Sequence, residues 1–130
     1  MVGLATVVPQ HAWSGEQASL LEKYARQARQ ESPDFTVFQP QRGELFFTSR
    51  HSGGKPDTPA CTTCHGATPT SSGMTRANKP IEPMAISKTP SRFADPDKVE
   101  KWFGRNCDSV LGRPCTAQEK GDVLVYLLKQ

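Results

Sequence analysis

Apolar residues recur at three- and four-residue steps in four stretches of this chain, and each stretch predicts an amphipathic helix. The first carries Ala18, Leu21, Ala25 and Ala28, with Leu20 and Tyr24 beside them. Ser14 opens it, and Gln17 three residues on completes the reciprocal pattern of a capping box. Ser32-Pro33-Asp34 ends it. The second, shorter helix starts at Pro40 and runs through Gly43, Leu45, Phe46 and Phe47. In the third, Asp95 is an N-cap with Pro96 at the first helical position. Its buried stripe reads as Val99, Trp102 and Phe103, and Gly104 as its end. The fourth begins with a second capping box, Thr116 to Glu119, and lines one face with Val123, Leu124, Leu127 and Leu128.

Between these stretches the pattern lapses. From Gly66 to Pro90 the chain is rich in Pro, Ser, Thr and Gly without a sustained period, which predicts loop. A loop so long in a small domain is functional or wraps around something. No strand pattern or internal repeat appears. The expected fold class is all-α, a single domain over residues 15–130.

Composition adds a reason for a non-protein core. Of 130 residues 35% are hydrophobic, against 11 prolines and 10 glycines, so a thin core serves much irregular backbone. The net charge of +3 is scattered, leaving no nucleic-acid footprint. No stretch approaches the ~20 apolar residues that span a bilayer. Leu4-Ala5-Thr6-Val7-Val8 is a short apolar run, and Ala12-Trp13-Ser14 has the small-x-small spacing of a signal-peptidase site. Residues 1–14 therefore read as a leader remnant or a disordered terminus, without the basic start and longer apolar run of a full leader.

The chemistry concentrates in Cys61-Thr62-Thr63-Cys64-His65. Two thiols three positions apart can each form a thioether with a haem vinyl group, and the adjacent histidine then becomes proximal ligand to the iron. Zinc would want a second close cysteine pair, whereas Cys107 and Cys115 have seven residues between them. A thioredoxin-type dithiol would want a βαβ setting, and none is visible. One covalent haem c is the expected cofactor. Its maturation occurs outside the bacterial cytoplasm, which predicts a periplasmic protein, and there Cys107 and Cys115 would join as a disulfide rather than stay free thiols.

The sixth ligand is left open by the residues alone. Met84, in Pro80-Ile81-Glu82-Pro83-Met84, would make a low-spin electron carrier, although a lone methionine in an apolar loop serves equally as core. Met74 lies among polar residues, and His51 would give a bis-histidine haem. Asn106 reads on its own as a helix C-terminal cap. Phe47 and Trp102 are candidate pocket residues. Gly43, Phe47 and Tyr126 match the helix-crossing positions of cytochromes c, with Gly43 allowing close approach.

From about Gly43 onward the chain resembles the sphaeroides haem protein family of high-spin monohaem cytochromes c. The resemblance rests on Gly53-Gly54-Lys55-Pro56-Asp57-Thr58-Pro59, on Cys61 to Ala67, and on Arg92-Phe93. It continues through Val99-Glu100-Lys101-Trp102, Gly104-Arg105-Asn106-Cys107, Cys115-Thr116 and Glu119-Lys120. It implies a small class I cytochrome c-like fold with about four helices and long haem-wrapping loops. It implies Asn106 as the sixth iron ligand, a bridge between Cys107 and Cys115, and a dihaem cytochrome c as electron donor. It implies also that the asparagine leaves on reduction, so that O2 or NO can bind. Asp108 stands where the family often has asparagine, the position of Met84 is usually another apolar residue, and the first 40 residues match less well.

Three functions follow in order: a redox haem protein whose ferrous form binds a small gas, a plain electron shuttle using Met84, and an oxidase or nitric-oxide-consuming haem enzyme. The enzymatic reading ranks last because no acid–base pair is assignable to the distal side.

Overall fold

The computed structural model describes residues 13–130. The leader reading of residues 1–14 lies almost wholly outside these; of that stretch only Trp13 and Ser14 are described. Five helices and one minimal ribbon make up the order: α1 (Gly15–Glu31), α2 (Pro40–Thr48), α3 (Thr62–His65), β1 (Gly73–Met74), β2 (Pro80–Ile81), α4 (Pro96–Leu111) and α5 (Ala117–Leu128). The four expected helices are present, and the fold is mostly helical as expected. The fifth is a single turn at the cysteine motif. The two strands pair antiparallel, Gly73 opposite Ile81 and Met74 opposite Pro80, a contact too short for any alternation to announce it.

Both capping boxes form. Ser14 Oγ accepts from Gln17 N at 3.2 Å while Ser14 N donates to Gln17 Oε1 at 2.9 Å. Thr116 and Glu119 repeat the arrangement at the start of α5. Asp95 caps α4 by accepting from Asp97 N and Lys98 N.

α5 is the centre of the frame. Every residue from Gly121 to Leu128 is buried, because α1 packs on one side of it and α2 on another. Leu20, Leu21 and Tyr24 of α1 meet Leu124, Val125 and Leu128 of α5 and Val99 of α4 in one cluster. Gly43 makes the α2–α5 crossing, for a Cβ there would stand 1.9 Å from the Asp122 carbonyl oxygen. The expected close approach at Gly43 is thus what the chain does. Beside it Arg42 grips the buried Asp122 with both ends of its fork, at 2.7 and 3.0 Å. Gln39 N donates to the same carboxylate at 2.8 Å. Phe47 and Tyr126 complete the crossing with ring centroids 6.0 Å apart.

α4, the third of the expected helices, corrects the sequence reading twice. It does not stop at Gly104 but runs to Leu111, ending at Gly112 in the left-handed conformation (φ 67°). A mid-helix glycine costs about 1 kcal/mol, and burial of Cys107, Val110 and Leu111 beyond it outweighs that. Nor does Trp102 fill core: it is 45% exposed and lies under the Arg105 guanidinium, 5.6 Å from the ring centre. The inward face is Val99, Phe103 and Cys107, four residues apart, and Trp102 is about 100° away from it around the helix. Among the described residues no helix is long and apolar enough to cross a membrane.

Candidate haem site

Cys61 and Cys64 are unpaired and half-buried, while Cys107 and Cys115 form a disulfide with Cα atoms 5.7 Å apart. The motif is held from both sides. The loop before it is closed by His51 N donating to Pro59 O at 2.7 Å. The chain after it returns so closely that a Cβ on Gly73 would stand 2.1 Å from the Cys64 carbonyl oxygen. Gly73 is therefore the residue that lets β1 lie on α3.

The electrostatics separate the rival chemistries. Burial pushes the Cys61 thiol up to about 11, opposite to the lowered pKa of a redox-active Cys-x-x-C. Burial pulls His65 down to about 4, and the nearby Arg92 charge adds to this, so the imidazole is neutral, as a metal ligand must be. Its Nδ1 is buried with no hydrogen-bond partner. A core histidine would have its buried nitrogens satisfied. The Phe47 ring lies 6.0 Å from the imidazole. A Cys61 thiol kept protonated by burial, a second cysteine three positions on and a neutral histidine with an orphaned nitrogen fit covalent haem. Among the described residues no cluster of three or more His, Cys, Asp or Glu could hold a bare metal ion.

Cys61 and Met84 pack against the same cluster, Phe47, Val123, Tyr126 and Leu127, together with Phe46, Phe93 and Phe103. Phe103 also packs on the disulfide cluster of Cys107, Val110, Leu111 and Cys115, so it joins the motif to α4. Asn106 lies inside α4 and not at its end, which removes the C-cap reading. It falls three residues after Phe103 and four before Val110, on the margin of the face that α4 turns inward, and it is exposed. His51 is engaged elsewhere: its Nε2 donates to the Phe46 carbonyl at 2.8 Å, tying down the end of α2. Met74 is half exposed.

Three contributors were not singled out from sequence. Arg92 donates to the Glu82 carbonyl at 2.6 Å and the Pro83 carbonyl at 3.3 Å, holding the backbone just before Met84. Phe93 has φ 65°, an outlier for a bulky side chain. It is kept there by packing on two core clusters and by Gln17 Nε2 donating to Arg92 O at 2.6 Å. Phe46 packs on both the motif and disulfide clusters. The only sequence signal was the Arg92-Phe93 pair itself, without its role.

A mostly helical fold with long loops, a covalent haem motif and one neutral histidine defines a monohaem c-type cytochrome. A family model described as a domain of unknown function, DUF1924, matches residues 33–127. Cytochrome c-type protein SHP of Cereibacter sphaeroides is 58% identical over 90 residues, 69% of this chain and 70% of that one. Cytochrome c'' of Methylophilus methylotrophus is 31% identical over 112 residues, 85% of this chain and 78% of the relative. Among solved structures, that of oxidised SHP, described as an oxygen-binding cytochrome c, superposes with a TM-score of 0.80 at 49% identity. It covers 88% of this chain and 96% of the other. The chain belongs to the sphaeroides haem protein family, and its cofactor is haem c.

Proposed function

We propose that this cytochrome is a redox haem protein with a labile asparagine ligand, opening on reduction to admit O2 or NO. In this reading Cys61 and Cys64 carry the thioethers, His65 is the proximal ligand and Asn106 is the sixth ligand of the ferric iron. Residues 15–130 form the single haem-bearing unit. The haem supplies one-electron redox chemistry and a coordination position for a diatomic ligand; the rest falls to the chain. The observation that carries the reading is Asn106 itself, an exposed amide on the α4 face shared with Phe103 and Val110, one residue before the disulfide.

An amide oxygen is a hard, neutral donor that suits ferric better than ferrous iron. The disulfide would keep the segment in place while the side chain moves. That the related SHP is described as oxygen-binding supports the same use here. Electrons would come from another c-type cytochrome, a dihaem one by family resemblance, in the bacterial periplasm. Optical spectra of ferric and ferrous holoprotein test this. Asn106→Ala should change the ferric spectrum, and the ferrous form should bind carbon monoxide. A sharp low-spin ferrous spectrum indifferent to carbon monoxide would refute it.

A second reading, an electron shuttle with Met84 as sixth ligand, is favoured by the packing of Met84 against the same cluster as Cys61. It requires a thioether–iron charge-transfer band in the ferric protein that disappears in Met84→Leu. Turnover as an oxidase or nitric-oxide-consuming enzyme ranks third and is read by steady-state gas consumption against free haem.

A further inference from the structure

α4, which bears Asn106, meets the rest of the molecule mainly through apolar packing, with a few polar ties at other points around it. At its far end the Ser109 carbonyl accepts from Lys55 N at 2.7 Å and Thr58 Oγ1 at 2.9 Å. Six residues before Asn106, Glu100 accepts from the hydroxyl of Tyr24 in α1 and from Lys120 Nζ of α5, the latter at 3.2 Å. Tyr24 is fully buried. Lys120 Nζ stands 5.5 Å from the Tyr24 ring centre and 5.9 Å from that of Phe103. Tyr24 and Phe103 meet edge to face at 6.2 Å.

One carboxylate thus ties three helices together, and the cation it holds lies over the aromatic ring that joins α4 to the Cys61–Met84 cluster. Burial pushes the Glu100 carboxyl up, but the Tyr24 hydroxyl and the Lys120 ammonium outweigh it and keep the group below the ordinary carboxylate range. Burial, with the neighbouring carboxylate, keeps Tyr24 in its phenol form. The hydrogen bond is therefore one between a phenol and a carboxylate, the stronger, charge-assisted kind.

We infer that Glu100 is a positioning residue for Asn106: through Tyr24 and Lys120 it sets the height and rotation of α4, and so how firmly the amide reaches the ferric iron. The inference rests on the proposed Asn106 ligation. A merely structural tie would lower stability and leave the iron's surroundings alone. A positioning tie changes the iron's signature even where the protein stays folded. Because the amide favours the ferric state, loosening α4 should raise the reduction potential.

Tyr24→Phe keeps the buried ring and removes only the hydroxyl; Glu100→Gln keeps the shape and removes the charge. In holoprotein that melts well above the assay temperature, each should weaken the ferric sixth ligand about tenfold. That corresponds to about 59 mV upward in potential for one electron, with a larger five-coordinate fraction in the ferric spectrum. In an Asn106→Ala background the same two substitutions should move neither readout. If Asn106→Ala alters spectrum and potential but Tyr24→Phe and Glu100→Gln alter only the melting temperature, Glu100 is a structural tie and the inference falls alone. If Asn106→Ala changes nothing at the iron, the ligand reading falls and this inference with it.

Discussion

The α2–α5 crossing and the α4 segment are held by different means. At the crossing, backbone lies on backbone at Gly43, a carboxylate is enclosed by a guanidinium fork, and α5 is buried all round. α4 is amphipathic, keeps Trp102 and Asn106 exposed, and depends on Glu100, Ser109 and one disulfide. Close packing admits almost no adjustment; a helix held by a few polar ties can shift as those ties change. The proposed proximal histidine, His65, thus lies beside Phe47 of the rigid half, and the proposed sixth ligand sits on the adjustable half.

The largest effect should come from Gly43→Val. Its side chain cannot coexist with the Asp122 backbone, and separating α2 from α5 should cost about 4 kcal/mol or more. Little folded holoprotein should accumulate, read as haem absorbance per unit of chain. Near-native yield would mean the crossing is less rigid than its geometry. Asp122→Ala should cost about 3 kcal/mol, the low end for a broken buried pair because Arg42 can turn to water. Urea midpoints would measure it, with the ferric spectrum unchanged.

The same measurements on the other half should divide differently. Cys107→Ser with Cys115→Ser should cost about 2.5 kcal/mol by loop entropy and also move the ferric spectrum. If the spectrum stays fixed, the disulfide is a staple and no more. Thr58→Val, removing one of two donors to the Ser109 carbonyl, should cost about 1 kcal/mol. The smallest effect is on acid. Burial raises the Glu119 carboxyl, but Arg113 and the Thr116 N–H outweigh it and hold the group low. A depressed folded pKa contributes stability that is present above the unfolded value, about 4.3, and lost as pH falls through the folded one. The gap in urea midpoint between wild type and Glu119→Gln should therefore shrink from pH 6 to pH 3.5.

What could be read from sequence was local. Ser14 with Gln17 and Thr116 with Glu119 announced two helix starts because each box is made within four residues. The haem motif was legible for the same reason. Gly104 misled because propensity is a weak term beside the burial of Cys107, Val110 and Leu111 downstream. Trp102 misled because a residue one position off a stripe looks apolar in a window yet points elsewhere. Tyr24 and Glu100 are 76 residues apart, and no periodicity links them. Chemistry alone left Met84 open and read Asn106 as a helix cap, since nothing local to either position shows what it faces, and it took resemblance to bring Asn106 forward.

The burial of α5 has a consequence for the order of events during biogenesis. It is the last of the described elements, yet α1 and α2 both pack on it. Until residues 117–128 are delivered, α1 and α2 lack the larger part of the surface they pack on, and their contacts with it are of long sequence separation, which slows folding. The Cys61–His65 segment precedes α5 in the chain and so emerges before the α5 surface that it packs against. A hub that follows the motif in sequence acts as a timer, leaving an interval in which a covalent group can be attached before the chain closes around it.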